Sequence, residues 1–537
     1  MNLRTLKAPA VAAALLFLAA AGCTDTTVQP KSTTTEVNVF NDPSAYQGML
    51  ARVYAGLAVS GQQGAAGNPD IQGIDEGFSQ YLRLYWECQE LPTDEAVIGW
   101  NDIGLPEMNT MTWTSSSRMV VAMYYRIGVQ AVMANEFLRQ STDAALASRG
   151  NVSPSLKTQI QQWRAEARFL RALSYWHAID LFGSVPLVTE NDPIGSTPPK
   201  QASRDSIYNF IVSELTAIKD SLPAPGPTTY GRATTMAAHM LLAEVYLNAE
   251  VYTGTAAYAN ALTEATAVIN SGAYSLDPSY THLFQADNNT SPEIIFPIVE
   301  DGVHTQTWGG TTFLVHASCG GSMSAGTYGL DYCWGGTRLK PEAYNFYATT
   351  ADHPAGDGRA SYFYTTGQKV SVDTLGNYNN GIAAPKFTNK TSTGGNGSNS
   401  TFVDTDFPLF RLGEAYLIYA EAVLRGGGGS AGQALTYVNL LRGRAYGSTA
   451  GDITAGQLTL PFILTERGRE LLWEAHRRTD LVRYGAFAGG TYIWSWKGGN
   501  PNGYFQTGAA TPVTLDLYPL PATELVTNPN LTQNPGY

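Results

Sequence analysis

The chain has 537 residues, and 44% of them are hydrophobic. This length exceeds that of a domain with one hydrophobic core, because single cores mostly stop growing near about 250–300 residues. Its 54 glycines and 30 tyrosines, set against only 15% charged residues, indicate long, ordered loops that carry aromatic rings. The net charge of −12 repels a phosphate backbone, so no nucleic-acid partner is expected, although an acidic balance is also an ordinary aid to solubility.

The N-terminal segment has the layout of an export signal. Arg4 and Lys7 precede an apolar run from Ala10 to Ala21, which is too short to span a bilayer. Small residues directly before Cys23 are typical of a lipobox, so we expect cleavage after residue 22 and a lipid on Cys23. A secretory signal without a lipid is the alternative. No other apolar run is long enough to cross a membrane.

The most regular helical pattern runs from Leu156 to Gly183. Its apolar residues recur at spacings of three and four along two neighbouring stripes, one through Ile160 and one through Phe169, so burial on two sides is expected. Gly183 stops the helix, and Pro186 prevents it from resuming. Similar patterns elsewhere predict a stack of helix pairs. The other helices are expected over 42–58, 119–140, 206–221, 234–248, 257–270, 408–424, 431–442 and 464–484.

Two segments rich in aromatic residues lack the helical period. Prolines and glycines interrupt residues 80–114, so Trp86, Trp100 and Trp113 are expected on short elements or loops. Residues 293–405 open with a short strand, EIIFPIV, and are then dense in glycine, threonine, serine, asparagine and aromatic residues. Because rings are spread through this stretch, we interpret it as an ordered, loop-rich insert.

Four segments in order resemble one known family. They are AEARFLRALSYWHAIDLFGSVPLVTE (165–190), DFPLFRLGEAYLIYAEAVLRGG (406–427), ERGRELLWEAHRRTDLVRYG (466–485) and the terminal YPLPATELVTNPNLTQNPGY (518–537). Together they resemble the SusD/RagB family of outer-membrane lipoproteins, which pair with TonB-dependent transporters to take up glycans or peptides. The resemblance runs from about residue 40 to the last residue.

The resemblance implies a mainly α fold, a tetratricopeptide-like helix-pair solenoid with a loop-rich, mixed second lobe. The implied organisation is a lipoprotein signal peptide (1–22), a tether (23–39), a helical repeat body (40–292 and 406–537) and a ligand-binding insert (293–405). It also implies a protein exposed on the outer membrane, with a SusC-like TonB-dependent transporter as partner and an oligosaccharide as ligand. A peptide, as in the RagB branch, is the alternative ligand.

Sugar binding needs flat aromatic faces for the C–H surface of a pyranose ring, and planar polar groups for its hydroxyls. Arg83, Trp100, Asn101 and Asp102 offer this mixture in one segment. TDEAVIGWND (93–102) resembles the motif of the starch-binding members, which implies a starch-like glucan and a ligand contact by Trp100. The family's other aromatic contacts come from variable loops, and the residues that could supply them here are Trp308, Tyr328, Tyr332 and Trp334.

No motif for catalysis, for a cofactor or for a metal is found, so a non-enzymatic protein without cofactors is expected. Asp94 and Glu95 are adjacent, which turns their side chains apart and disfavours a glycosidase pair. His177 is expected in the core. Cys319 and Cys333 could form a disulfide in an oxidising compartment, which would leave Cys88 unpaired. A glycoside hydrolase and a purely structural repeat scaffold are the alternatives of another class.

Overall fold

A computed structural model describes residues 39–62, 64–65, 70–71, 73–195, 197–499 and 505–537. Within these ranges the chain forms seventeen helices and three two-stranded antiparallel sheets, which confirms the predicted mainly α class. The predicted signal segment, Cys23 and residues 24–38 of the predicted tether lie outside the described residues. None of the helices within the described ranges combines the length and apolarity that crossing a bilayer requires.

The helices in chain order are α1 Ala45–Ala58, α2 Tyr81–Glu90, α3 Leu105–Thr110, α4 Arg118–Gln140, α5 Asp143–Arg149, α6 Pro154–Leu181, α7 Arg204–Ile218, α8 Thr235–Leu247, α9 Ala249–Thr253, α10 Tyr258–Asn270, α11 Gly310–Ala317, α12 Pro341–Asn345, α13 Leu412–Leu424, α14 Ala431–Tyr446, α15 Leu460–Glu470, α16 Arg477–Arg483 and α17 Ala522–Thr527. The strands are β1 Ala96–Ile98, β2 Val185–Pro186, β3 Gln201–Ala202, β4 Ile294–Ile298, β5 Thr337–Leu339 and β6 Phe407–Arg411.

The central member of the helix stack is α6. Ser153 caps its start by accepting a hydrogen bond from the Leu156 N–H at 3.3 Å, and Pro154 occupies the first turn, where no N–H is needed. From Ala165 to Leu181 nearly every side chain is buried, because α4 packs on one side and α7 on another. The double apolar stripe predicted for this helix is therefore confirmed.

The stack continues through α8, α10, α13 and α14, each packed against the next. Buried apolar residues from Leu50 to Leu520 form one connected core, and Phe313 and Phe387 of the loop-rich segment belong to it. The helices and the loop-rich segment thus share a core. The division of the chain at residues 293 and 405 stays a prediction.

Two sheets join the loop-rich segment to the helices. In one, β4 pairs antiparallel with β6, Ile294 opposite Arg411, so the predicted strand EIIFPIV is confirmed. A helix was predicted to begin at 408, but α13 begins at Leu412, because residues 407–411 are all buried in this ladder. In the other sheet, β1 pairs with β5, Ala96 opposite Leu339.

The single helix predicted over 464–484 is wrong. The structure has α15 and α16 instead, separated by a turn in which Trp473 and Ala475 adopt left-handed backbone angles (φ 61° and 65°). The turn is held by contacts far away in sequence, because the Trp473 carbonyl accepts a hydrogen bond from the Trp86 indole at 3.0 Å. The Glu474 side chain points inward, where it accepts hydrogen bonds from Arg411 and Lys386, each at 2.6 Å.

A buried ion network joins these helices to the insert. Arg411 lies between Glu470, Glu474 and Glu293, with N–O distances of 2.8, 2.6 and 2.9 Å. Burial alone would raise the pKa of Glu474, but Arg411 and Lys386 outweigh burial and hold this pKa below its ordinary value. A buried charge without a partner lowers the free energy of unfolding. The network therefore holds the loop-rich insert to the helices only while every charged partner is present. Its further members are Asp357, Arg359, Arg442, Arg444, Glu466 and Arg469.

His177 lies in the core, where its Nδ1 is 2.8 Å from the Tyr81 hydroxyl. Burial lowers the pKa of His177 from 6.5 to about 3, so the folded protein holds it neutral. Below pH 6.5 the unfolded chain binds a proton at His177 that the folded protein excludes until the pH reaches about 3. The unfolding free energy is therefore unaffected by this group above pH 6.5 and falls by about 1.4 kcal/mol per pH unit between pH 6.5 and about 3.

We expect His177→Gln to remove this contribution to the pH dependence of the unfolding free energy, measured by urea unfolding from pH 7 to pH 4.

Candidate ligand-binding site

The pairing of β1 with β5 places two tryptophans side by side. Trp100 follows β1 and Trp334 precedes β5, and the Gly99 N–H continues the ladder by donating to the Gly336 carbonyl at 3.0 Å. A Cβ atom at position 336 would lie 2.7 Å from the Trp100 ring, so this close approach needs glycine. The two indole centroids are 6.2 Å apart.

Three further rings extend this pair into what we call the aromatic platform, defined as Trp100, Trp308, Tyr332, Trp334 and Phe402. Trp334 is its centre, with centroid distances of 6.2 Å to Trp100, 6.1 Å to Trp308 and 6.4 Å to Tyr332. Phe402 lies 4.8 Å from Trp308. Successive indoles are tilted by 47° and 49°, so their ring planes point in different directions.

The aromatic platform faces solvent. Tyr332 is 51% exposed, and the other four rings are half-buried. Contiguous exposed rings are rare on a soluble surface unless they bind something, because burying them would be favourable. Asn101 and Asp102 are exposed beside Trp100, and their side chains have no partner among the described residues. The surface therefore combines apolar faces with free polar groups.

Arg83 holds Trp100 from behind. Its guanidinium carbon lies 5.6 Å from the Trp100 ring and 4.4 Å from the Phe313 ring. Its N–H groups donate to Glu87 at 2.9 Å and to the Gly77 carbonyl at 3.1 Å. Since Arg83 is only 6% exposed, we assign it to positioning of the indole, while a direct ligand contact stays a prediction.

His316 supports the centre of the platform from α11. Its buried ring stacks on Trp334 with a centroid distance of 4.5 Å and an angle of 22°. Its Nδ1 lies 2.8 Å from the Tyr332 carbonyl, and its Nε2 lies 3.0 Å from the Thr401 carbonyl. Burial lowers the pKa of His316, and the two carbonyls oppose that shift. One side chain thus ties both platform loops to the helix.

A disulfide holds the loop that carries Tyr332 and Trp334. Cys319 and Cys333 are joined, whereas Cys88 is buried and free. The sequence left open whether this disulfide forms, and the structure contains it. The Trp334 N–H also donates to the carbonyl of residue 316 at 2.9 Å. The covalent link and the hydrogen bond together position the central indole.

Replacing both Cys319 and Cys333 with serine is expected to lower the unfolding free energy by about 3 kcal/mol, because the link closes a loop of 14 residues. Guanidinium unfolding of both proteins measures the loss. A reducing agent should lower the stability of the parent protein and leave the double variant unchanged. Equal sensitivity of the two proteins to reduction would contradict the expectation.

Among the described residues, no ring of the platform contacts the Tyr328 ring. Its carbonyl accepts a hydrogen bond from the Asn389 N–H at 3.0 Å. Burial raises the pKa of its phenol, and the nearby Tyr364 adds to the shift. A ligand that reaches both Tyr328 and the platform would have to extend beyond the five rings, so the role predicted for Tyr328 stays a prediction.

The adjacent acids Asp94 and Glu95 are enclosed by protein. Asp94 accepts two hydrogen bonds from Arg477, each at 2.7 Å, and Glu95 accepts one from the Trp473 N–H at 3.1 Å. Both side chains are buried. Their partners are structural, so these carboxylates hold the turn before α16.

A three-residue group in the described part of the chain has a geometry that could hold a metal ion. The ligand atoms of Glu244, Glu414 and His476 lie within 4.8 Å of one another, and all three residues are buried. Arg467, 3.8 Å from Glu244, already supplies a positive charge there. Burial, and next the neighbouring Glu244, raise the pKa of Glu414. The raised pKa of Glu414 favours its protonated form, which lowers the negative charge of this group.

Sequence reasoning missed Phe402, Phe313 and His316. Phe402 had a usable signal, since it is the only aromatic residue in the polar stretch from 392 to 406. Phe313 and His316 had none, because their importance comes from lying one turn apart on α11 under two rings that the fold assembles.

The sequence is similar to those of known proteins. The sequence model of the SusD family matches residues 302–537. The chain is 34% identical to the starch-binding protein SusD of Bacteroides thetaiotaomicron, over 91% of this chain and 92% of that protein. It is 27% identical to the SusD-like protein P2 of Formosa agariphila, over 80% of this chain and 83% of that protein.

Solved structures share the fold. A SusD superfamily protein from Bacteroides thetaiotaomicron matches with a TM-score of 0.69 at 19% identity, over 92% of this chain and 99% of that one. Surface glycan-binding protein A from the same organism, in complex with laminarihexaose, matches with a TM-score of 0.67 at 20% identity, over 91% of this chain and 98% of that one. The predicted tetratricopeptide-like helix stack with a loop-rich lobe is thereby confirmed.

Proposed function

Because this chain belongs to the SusD family, we propose that it captures an oligosaccharide on the aromatic platform and passes it on without chemical change. The observation that carries the proposal is the group of five rings centred on Trp334, of which Tyr332 is exposed and the other four are half-buried. Aromatic faces cover the apolar side of a sugar ring, while Asn101 and Asp102 offer partners for its hydroxyls. Trp100, Trp308, Tyr332 and Trp334, which the sequence predicts as ligand contacts, are all members of the platform, and this supports the proposal.

A starch-like glucan is the ligand we favour. The relative with 34% identity is named for starch binding, and its match extends over nearly the whole of both chains. The tilt of successive indoles suits a chain that bends from one sugar to the next rather than a flat ribbon. An extended peptide would find fewer hydrogen-bonding edges on a surface built from ring faces.

Anchoring and partnership form the wider proposal. A lipid on Cys23 would tether the protein to the outer membrane, with the rest of the chain exposed at the cell surface. There it would cap a SusC-like TonB-dependent transporter and deliver the oligosaccharide to it. Family membership and the lipobox pattern support this arrangement.

Isothermal titration of the purified protein against a panel of oligosaccharides, with maltooligosaccharides included, tests the proposed function. We expect binding to at least one maltooligosaccharide, and we expect Trp100→Ala to weaken it. Flat heats with every glycan would contradict glycan capture, and peptides found by mass spectrometry on the purified protein would favour the RagB-type alternative. Release of sugar from a polysaccharide would show an enzyme instead.

A further inference from the structure

Two neighbouring hollows form a groove in the surface beside α1 and α6. The first hollow, about 340 Å³, reaches Thr305, three residues before Trp308 of the aromatic platform. The second, about 400 Å³, lies over the first half of α6. Ala51, Tyr54 and Arg232 line both hollows, so the two lie side by side. We call this surface the side groove.

The charges in the side groove are already satisfied. Arg232 donates to Glu166 through two N–H groups, one of them at 3.1 Å. The Tyr54 hydroxyl donates to the same carboxylate at 2.6 Å and accepts from the Ala233 N–H at 2.8 Å. Since Glu166 is fully buried and paired, the groove has no spare charge for an ionic ligand. A neutral ligand is what this surface can accommodate.

The far end of the side groove is lined by free amides. Gln47, Gln159 and Gln162 have no side-chain partner among the described residues, and the half-buried ring of Trp163 lies beside them. An amide offers both donors and an acceptor, the combination that pairs with sugar hydroxyls. At this end the walls come from α1 and α6, whose backbone groups are bonded within each helix, so a peptide finds no strand edge in the second hollow.

We propose that the side groove binds the continuation of a long neutral oligosaccharide whose other end lies on the aromatic platform. The groove begins close in sequence to Trp308, holds no unpaired charge and ends in free amides beside an aromatic ring. Chains longer than the platform therefore gain contacts that short chains lack. This inference rests on the proposed function.

The test uses the full protein and the double variant Gln159→Met with Gln162→Met, which keeps side-chain length and removes the amides. Titrations with maltotriose and with a longer, size-fractionated maltodextrin are compared. We expect the double variant to bind maltotriose like the parent and the longer chain about five- to tenfold more weakly, as the loss of two hydrogen bonds implies. Gln161→Met is the matched control, on the same helix but lining neither hollow, with its amide bonded to Asp143.

Each outcome decides the inference. A loss confined to the longer chain, with unchanged melting temperature and no effect of Gln161→Met, supports the side groove. Equal affinity of the parent for both probes, or a double variant that weakens both equally or neither, overturns it while the proposed function stands. A parent protein that binds no maltooligosaccharide overturns the starch-like ligand and the side groove with it.

Discussion

Replacing Trp334 with alanine is expected to weaken oligosaccharide binding roughly 30-fold, the effect of losing a central hot-spot contact of about 2 kcal/mol. Trp334 contacts Trp100, Trp308 and Tyr332, so its loss removes a ring face and also leaves the neighbouring rings without support. Titration calorimetry with the maltooligosaccharide that the parent protein binds measures the change.

Two further variants make this result interpretable. Tyr332→Ala removes a platform ring that is 51% exposed, so it should weaken binding with little effect on the melting temperature. Tyr437→Ala removes a ring from α14, where Tyr437 stacks on Tyr416 away from the platform, and should leave affinity unchanged. Full affinity in a folded Trp334→Ala protein would refute the assignment of the platform as the ligand site.

Replacing Arg411 with methionine is expected to lower the unfolding free energy by about 3–5 kcal/mol. Arg411 is 1% exposed and pairs with Glu293, Glu470 and Glu474, so methionine would fill part of its volume and remove one positive partner from each of three buried carboxylates. Urea unfolding followed by circular dichroism measures the loss.

A matched surface variant shows whether burial is the cause. Arg139 pairs with Glu136 three residues earlier on α4, and both side chains are about a third exposed. Solvent screens such a pair, so Arg139→Met should cost about 0.2–1 kcal/mol. Similar losses for Arg411→Met and Arg139→Met would contradict the view that the buried network holds the insert to the helices.

Part of the candidate site could be predicted from local residues. Trp100, Asn101 and Asp102 stand together in the sequence, and the resemblance of TDEAVIGWND to a known motif pointed to them. Trp308, Tyr332 and Trp334 were named only as candidates among several aromatic loop residues. The sequence could not separate them from Tyr328, because membership of the platform depends on a strand pairing between distant segments.

Helix periodicity is a property of neighbouring residues, so the sequence by itself determined α6, its end near Gly183, its double burial and the mainly α class. Four segments in order also indicated the family. Only the tertiary structure decided the register of β1 on β5, the break between α15 and α16 and the partners of Glu474. Those features follow from contacts between residues far apart in the chain, where a hydrogen bond or buried ion pair overrides local helical preference.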